Sequence, residues 1–308
     1  MLSAIPILFE DQDMVVINKP AGTVVNRSHT TPAHTLQDWM EERYHFGTKT
    51  TNTWENANWE KLVPPDFSTE FGTPLEIFAE RVGVVHRLDK ETSGCLVLAK
   101  NPGALVKLLK QFKDRQVSKK YLALVHGKFS ITEGKLSFPV GRASQDRLRF
   151  AVTATGREAI TQYKVIRFFA HFDTQAWLKL AQAELTSQLN YQKALVKHPL
   201  FPYLDKLMQG KSLDKIFRVY QGFSLVECWP KTGRTHQIRV HMKHLHHPLV
   251  GDAVYVGKGR QKLDALWCPR HFLHAANLTF THPVTDQIQT VEAPLPPDLE
   301  QALTLLSE

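Results

Sequence analysis

Short apolar runs bounded by turn residues recur along this chain, and they predict buried or half-buried strands. The segments with strand character are residues 14–18, 95–99, 120–126, 161–167 and 223–229. Because these segments are short and many of them alternate apolar with polar residues, they favour a mostly antiparallel sheet. Apolar residues at helical spacing predict amphipathic helices near residues 35–44 and around residues 105–113. The pattern therefore predicts a sheet accompanied by helices.

One run, HRLDKETSG at residues 86–94, combines charge with turn residues. Asp89 stands between Arg87 and Lys90, and neighbouring cations favour the charged form of a carboxylate. We expect residues 92–94 to form a tight turn before the buried strand at residues 95–99. An ionised carboxylate at a strand edge suits a nucleophile or a base. A single Asp in such a place more often only caps a turn, so this run does not identify a site by itself.

A second run, KTGRTHQIRVH at residues 231–241, follows the strand predicted at residues 223–229. Gly233 suits a turn, and residues 237–242 suit the start of a helix. We expect this turn to gather four polar side chains near a helix N-terminus: Arg234, His236, Gln237 and Arg239. Such an arrangement attracts phosphate and carboxylate groups, and the planar fork of arginine pairs with a carboxylate in bidentate fashion.

These two runs, taken with several others in the same order, resemble the RluA family of pseudouridine synthases. The other matching segments are residues 14–22 (MVVINKPAG), 118–127 (SKKYLALVHG), 246–252 (HHPLVGD) and 272–276 (FLHAA). The resemblance spans nearly the whole chain. It implies an α+β fold with a mixed, mostly antiparallel sheet, flanking helices and a central basic cleft. It also implies an isomerase that acts on RNA, with Asp89 at the base of the cleft.

The resemblance assigns roles to four residues. Asp89 matches the catalytic aspartate, and Arg239 matches the arginine that pairs with it. Tyr121 matches the tyrosine that stacks on the target uracil and is proposed to remove the C5 proton. Arg87 matches the arginine that enters the RNA stack where the target base leaves. Without the resemblance, Tyr121 would be taken for a half-buried strand residue.

The implied reaction breaks the N1–C1′ bond of a uridine, turns the uracil and joins C5 to C1′. No redox step or external group is needed, so we expect no cofactor and no metal. The base must be flipped out of its stack, and the flat cation of Arg87 can partly replace the lost stacking. Three routes stay open for Asp89: attack at C6, attack at C1′, or removal of a proton at C2′. All three need the same ionised carboxylate.

The charge balance fits a polyanionic partner. Lys and Arg total 38 against 30 acidic residues, which gives a net charge of +8 and a pI near 9.3. Lysines recur at helical spacing around residues 107–113 and form a cationic helix face, which is either an RNA contact or an ordinary solvated surface. With the resemblance, we predict RNA contacts at Arg87, His86, Lys107, Lys110, Lys119, Lys120, Arg234 and His236.

The cysteine and histidine patterns do not indicate a metal site or an exported protein. The 3 cysteines are widely spaced and cannot form a closed set of disulfides, so a reducing cytoplasm is the simplest location. The first residues lack the features of a signal peptide, and no apolar stretch is long enough to span a membrane. A histidine cluster at residues 236–247 invites a zinc site, but no cysteine or carboxylate spacing supports one.

We interpret residues 1–308 as one pseudouridine synthase catalytic domain that carries two insertions, at residues 46–78 and 169–221. The second insertion is predicted to contain a helix over residues 174–196 and a second one over residues 202–208. The segment before Met14 is too short for the small N-terminal RNA-binding domain of many family members. We expect ribosomal RNA or transfer RNA as the substrate. The alternative function is an RNA chaperone or ribosome-assembly factor in which catalysis is incidental.

Overall fold

The structure is a computed structural model that describes residues 5–28, 31, 34–46, 58–144, 146, 149–187 and 219–308. Its strands, in chain order, are β1 (Ile7–Glu10), β2 (Met14–Lys19), β3 (Ser93–Ala99), β4 (Ser118–His126), β5 (Glu133–Ser137), β6 (Val140–Arg142), β7 (Phe150–Val152), β8 (Ile160–Phe169), β9 (His171–Phe172), β10 (Phe223–Pro230), β11 (Leu273–Thr281), β12 (Ile288–Glu292) and β13 (Leu306–Ser307). Its α-helices are α1 (Leu36–Tyr44), α2 (Pro74–Arg81), α3 (Pro102–Lys113), α4 (Thr174–Ser187), α5 (Gln237–His244), α6 (Lys258–Asp264) and α7 (Pro297–Thr304). Short 3-10 helices cover Asn58–Leu62 and Thr69–Phe71.

The chain divides into two compact units. The first comprises Met1–Tyr121, Trp229–Thr235 and His274–Leu295, and the second comprises Leu122–Cys228, His236–Leu273 and Pro296–Glu308. Each unit is discontinuous in sequence, because the chain passes from one to the other several times. The assignment of residues 1–308 to one catalytic domain stays a prediction.

In the first unit, strands β1, β2, β3, β11 and β12 follow one another in that order. The β3–β11 pair is parallel, whereas the β1–β2, β2–β3 and β11–β12 pairs are antiparallel. The register places Val16 opposite Val97 and Ile17 opposite Leu96. The first pair belongs to one buried cluster and the second pair to another, so both faces of the sheet are covered. This double burial explains why β2 and β3 are continuous apolar runs in the sequence.

Helices α1 and α3 cover this sheet, and side-chain caps fix where each of them begins. Thr35 and Asp38 form a capping box at the start of α1, and the Asn101 side chain accepts the Ala104 N–H at the start of α3. Leu36 of α1 packs in the cluster that contains Ile17 and Leu96. The apolar face of α3 packs in the other cluster, through Ala104, Leu105 and Leu108. The amphipathic helices predicted near residues 35–44 and 105–113 are therefore confirmed.

The second unit contains β8, β5, the part of β4 from Leu122 onwards and the part of β10 up to Cys228. The strand order is β4, β10, β8 and β5, and β5 is antiparallel to β8. Two smaller antiparallel pairs, β6–β7 and β9–β13, accompany them. Helix α5 buries Val240, which packs with Val140, Ala159 and Tyr255. The expected fold class, a mixed and mostly antiparallel sheet with flanking helices, is confirmed.

The turn predicted at residues 92–94 is wrong. The turn lies slightly earlier and is closed by a 3.0 Å hydrogen bond from the Thr92 N–H to the Asp89 carbonyl, and Ser93 and Gly94 already belong to β3. Gly94 has a φ of 115°, and a Cβ there would lie 2.3 Å from the carbonyl oxygen of Ala275. The glycine therefore permits the close approach of β11 rather than a chain reversal.

The two predicted insertions fall partly within the described residues. In the first, Trp59 is buried in a 3-10 helix, and residues 47–57 lie outside the described part. In the second, α4 is the described portion of the helix predicted at residues 174–196, and Trp177 donates to the Leu266 carbonyl at 3.1 Å. Residues 188–218, with the helix predicted at 202–208, lie outside the described part. That these segments are insertions stays a prediction.

None of the described helices combines the length and apolarity needed to cross a bilayer.

Candidate active site

Asp89 lies at the first position of the turn that leads into β3. Its backbone carbonyl closes the turn, its side chain is partly exposed, and the next strand is buried throughout. Leu88, immediately before it, is buried in the cluster that α1 covers. The carboxylate is therefore attached to a backbone that is anchored on both sides. Such anchoring is what a reacting group needs in order to keep a fixed position.

Lys19 stabilises this turn through hydrogen bonds to backbone carbonyls. Its side chain is fully buried at the end of β2, and its Nζ donates to the carbonyl oxygens of Pro20 at 2.9 Å, Thr23 at 2.9 Å and Lys90 at 3.0 Å. The Gly22 N–H donates to the same Lys90 oxygen at 2.9 Å. Because a lysine ammonium has three N–H donors, these carbonyls can satisfy it. Lys19 thus ties the first loop of the chain to the turn that carries Asp89.

Tyr121 is close enough to Asp89 for the two groups to interact electrostatically. Burial, and next the negative charge of Asp89, raise the pKa of Tyr121 well above its usual range. Its ring packs against the cluster that contains Leu88 and Ala275. The phenol is therefore protonated at neutral pH. Asp89 and Tyr121 come from two separate segments of the first unit, and their catalytic roles stay predictions.

Arg87 and His86 precede Asp89 but have different surroundings. Arg87 is exposed on an extended segment, so its guanidinium faces solvent. The His86 ring stacks on Phe112 with centroids 4.5 Å apart, and its Nε2 accepts the Val97 N–H at 3.2 Å. Burial, followed by the charge of Lys119, lowers the pKa of His86 to about 3. An RNA contact by His86 stays a prediction, and the ring that made it would be neutral.

Arg239 lies in the second unit, where it pairs with Asp252. Its Nε and Nη2 donate to the two carboxylate oxygens at 2.7 and 2.9 Å, and both side chains are buried. Its Cζ also lies 5.1 Å from the centroid of the Tyr255 ring. Burial alone would raise the pKa of Asp252, but the hydrogen bonds and charge of Arg239 outweigh burial and hold it below its usual value. The pairing of Arg239 with Asp89 stays a prediction.

The four polar side chains expected to gather around residues 234–239 differ in exposure. Gln237 and Arg239 are buried, whereas Arg234 and His236 are partly exposed. Gln237 is buried and donates to the Ile160 carbonyl and the Thr161 hydroxyl, both at 3.0 Å. His236 adopts the left-handed conformation before α5, and its Nδ1 lies 2.9 Å from the Tyr255 hydroxyl. These contacts fix the first turn of α5 within the second unit. RNA contacts by Arg234 and His236 stay predictions.

The cationic face of α3 carries its own counterions. Lys107 pairs with Asp286 at 2.8 Å, and Lys110 pairs with Asp66 at 2.8 Å and with Asp114 at 3.2 Å. Asp286 and Asp66 come from other segments of the first unit, so no local pattern in the sequence indicates these two pairs. RNA contacts by Lys107 and Lys110 stay predictions, as does a contact by Lys120, which is partly exposed on β4.

The histidines of residues 236–247 contact protein groups. His241 contacts the Thr161 hydroxyl and the Phe138 carbonyl, both at 3.0 Å, and His247 contacts the His126 carbonyl at 2.8 Å. Among the described residues, no group of three or more His, Cys, Asp or Glu side chains is placed to hold a metal ion.

Sequence reasoning assigned no role to Lys19, Asp252 or Tyr255. A signal existed for the first two, since each is a charged residue close to a run of apolar residues within a segment that resembles the family. A buried charge needs a partner, so both positions indicated a specific contact. Tyr255 carried no such signal, because a half-buried aromatic residue is common in any core.

The comparisons with known proteins agree with one another on the family. A family model described as RNA pseudouridylate synthase matches residues 13–244. The chain is 33% identical to the uncharacterized RNA pseudouridine synthase YlyB of Bacillus subtilis, over 96% of this chain and 71% of that protein. It is also 33% identical to the ribosomal large subunit pseudouridine synthase D of Xylella fastidiosa, over 98% and 69%. Its fold is similar to that of human RNA pseudouridylate synthase domain containing 1, with a TM-score of 0.61, 22% identity and coverage of 100% of this chain and 89% of that chain.

Proposed function

The chain belongs to the RluA family of RNA pseudouridine synthases, and from this premise we propose that it isomerises a specific uridine of a structured RNA through the carboxylate of Asp89. Membership of the family makes it an isomerase that acts on RNA. The proposal adds the residue that reacts, the flipping of the base and the class of RNA. The cytoplasm is the proposed location, and the three buried free thiols are compatible with a reducing compartment.

The observation that carries the proposal is the packing of the Tyr121 ring against the buried cluster that contains Leu88, the residue before Asp89, and the electrostatic effect of Asp89 on Tyr121 agrees with it. A uracil stacked on the Tyr121 ring would lie beside the carboxylate, so one nucleoside could contact both groups. The ionised oxygen can then attack at C6 or C1′, or remove the proton at C2′. When C5 has joined C1′, the extra C5 proton must leave, and we assign this transfer to the Tyr121 hydroxyl, which passes its own proton to the freed Asp89 carboxylate as it takes the proton from C5.

Arg87 supports the base-flipping step. It stands two residues before Asp89, and Leu88 between them is buried whereas Arg87 is exposed and Asp89 partly exposed, so we place the two side chains on the same side of the chain. Its exposed, planar cation can stack on the bases left behind when the target uridine is extruded. Removing a base from a stack costs a few kcal/mol, and this contact offsets part of that cost.

Arg239 is the proposed second partner of Asp89. Its side-on fork with Asp252 uses Nε and Nη2, which fixes the plane of the guanidinium within the second unit. A guanidinium next to Asp89 would keep that carboxylate ionised in a site from which RNA excludes water. Asp252 would then act as the residue that orients Arg239.

Ribosomal RNA is the first substrate to test, because a 33% identical relative carries the name ribosomal large subunit pseudouridine synthase D. Transfer RNA is the second. Pseudouridine mapping across all cellular RNA, in a strain with the gene and one without it, would identify the uridine that loses its modification.

The same strain can test Asp89. We expect the wild-type gene to restore the modification. The Asp89→Asn variant should bind RNA but fail to restore the modification. Glu91→Gln is the matched control, because it also removes one carboxylate from this turn and should restore the modification. Modification restored by Asp89→Asn would refute the assigned chemistry. Restored growth without modification would instead favour an RNA chaperone or assembly factor.

A further inference from the structure

Two lysines of the first unit lie at neighbouring strand ends. Lys119 is at the start of β4, and Lys231 follows the end of β10. The two strands are neighbours in the sheet, and the Gly127 N–H just after β4 donates to the Gly222 carbonyl just before β10 at 2.8 Å, so the strands run antiparallel and the start of β4 lies beside the end of β10. Burial, and then the positive charge of Lys231, lower the pKa of Lys119 to about 8. Among the residues that the structure describes, neither lysine forms an ion pair with a carboxylate. The partly buried Lys119 and the exposed Lys231 repel each other, and this repulsion has a free-energy cost that an anion would remove.

The surroundings of Lys119 keep this positive charge uncompensated. Its Nζ lies 5.9 Å from the centroid of the Phe112 ring, and Phe112 stacks on His86. His86 is neutral at physiological pH, because burial lowers its pKa to about 3. The charged and titratable groups that act on Lys119 within the described residues are therefore Lys231 and His86. Neither supplies negative charge.

The lysines of α3 provide a contrast in the same unit. Lys107 and Lys110 are each held by a carboxylate at 2.8 Å, which is the usual way to stabilise a lysine whose purpose is structural. Lys119 is partly exposed, as Lys110 is, yet its charged neighbour is another lysine. A solvated surface face would not require such a pair. The arrangement is that of a site which receives its negative charge from a ligand.

The position of the pair indicates which ligand. Lys119 and Tyr121 are two residues apart on β4, so their side chains lie on the same face, and the rise of a strand separates them by about 7 Å. A uracil stacked on Tyr121 brings its own phosphodiester backbone to that face. An ammonium group is a compact charge that can donate hydrogen bonds to a phosphate in many directions. This suits an RNA backbone that turns sharply at a flipped nucleotide.

We propose that Lys119 and Lys231 together bind one phosphodiester group of the RNA next to the nucleotide that stacks on Tyr121. The inference rests on the proposed function, because the stacked uridine places the phosphate. It assigns Lys231 to the site for the first time. It also makes the two lysines one unit, in which the phosphate relieves the repulsion between them.

The test measures affinity for a fluorescent RNA that carries the mapped uridine, between 50 and 200 mM salt. The variants are Lys231→Gln, Lys119→Gln and the double variant. The control is Lys135→Gln, which removes the same charge from an exposed position on β5. Each neutralised phosphate contact makes affinity fall by about threefold over this salt range. We expect each single variant to lose about that much of the salt dependence. We expect the double variant to lose less than the sum, because both lysines bind the same phosphate.

A pH series separates this site from an unspecific loss of charge. Replacement of Lys231 removes the repulsion, so the fall in affinity that accompanies deprotonation of Lys119 near pH 8 should move to higher pH. Lys135→Gln should leave that fall where it is. Turnover of bound RNA should change less than KM in Lys231→Gln, because that side chain acts in binding.

Two outcomes would overturn the proposal. One is an unchanged salt dependence in both single variants, and the other is a double variant that loses the full sum. Either result would leave the isomerase activity of the wild type intact, so a failure of this site is distinguishable from a failure of the proposed function. The latter would appear as a wild-type enzyme that forms no pseudouridine in the mapped RNA.

Discussion

The guanidinium of Arg239 is held side-on by the carboxylate of Asp252, with Nε and Nη2 at 2.7 and 2.9 Å from its two oxygens. Asp252 also accepts the backbone N–H groups of Val254 and Tyr255 at 2.9 and 3.1 Å. The backbone N–H groups that follow Asp252 thus hold its carboxylate in place, and the carboxylate in turn orients Arg239. A buried carboxylate can in this way decide the direction in which an arginine points.

We predict that Arg239→Lys loses most activity and that Asp252→Asn does so too. Lysine keeps the charge but cannot form the fork, and asparagine leaves a buried arginine without its counter-charge. Breaking a buried pair from one side costs about 3–5 kcal/mol of stability. The measurements are pseudouridine formation and the free energy of unfolding in denaturant.

The control for this pair is Arg167→Lys. Arg167 pairs with Glu308 at 2.9 Å, but both side chains are more than half exposed. An exposed pair contributes about 0–1 kcal/mol, so the control should keep near-normal stability and activity. Normal activity in Asp252→Asn would mean that the fork has no part in catalysis.

Tyr121 offers a way to separate stacking from proton transfer. Tyr121→Phe keeps the aromatic face and loses the hydroxyl, so we expect RNA binding to persist and turnover to fall by about 10²–10⁴-fold. Tyr121→Leu should weaken binding as well. Release of tritium from RNA labelled at C5 of uridine, measured beside affinity, checks both effects. Full turnover by Tyr121→Phe would exclude a role for the hydroxyl.

Lys19 should be needed for the shape of the turn rather than for chemistry. Lys19→Met fills similar space but leaves the carbonyls of Pro20, Thr23 and Lys90 without this donor. A buried acceptor that loses its partner costs about 1–3 kcal/mol. We expect a lower free energy of unfolding and a lower kcat, whereas Lys61→Met, away from this turn, should change neither.

Stability should fall in mild acid because of His86. Its pKa in the folded protein is about 3, below the ordinary value of 6.5, so the unfolded chain binds a proton first as the pH falls. The stability that depends on the neutral ring is complete above pH 6.5 and is lost progressively between 6.5 and about 3. The slope is about 1.4 kcal/mol per pH unit for one proton.

Denaturant unfolding at a series of pH values measures this slope. His86→Gln should reduce the dependence by about that amount, even if its stability at neutral pH is lower. His171→Gln, which removes an exposed histidine, should leave the dependence unchanged. Equal slopes in the wild type and His86→Gln would show that His86 does not take part.

The sequence by itself determined five of the described strands, β2, β3, β4, β8 and β10, and the helices α1, α3 and α5. It thereby located the segments that carry Asp89 and Tyr121. Burial imposes a local period on a strand or a helix, so apolar runs at residues 14–18 and 95–99 identify β2 and β3 without knowledge of the fold. The resemblance of several motifs in a fixed order then indicated the family. The misplaced turn arose because Gly94 serves a contact with Ala275 that lies far along the chain.

Only the tertiary structure decided the partners of the charged groups. Lys19 meets the carbonyl of Lys90 across 71 residues, Arg239 meets Asp252, and Lys119 meets Lys231. A local pattern reports whether a position is buried, but it carries no information about which distant segment is packed against it. The Coulomb interaction falls off with distance in space rather than in sequence, so these pairings exist only once the chain has folded.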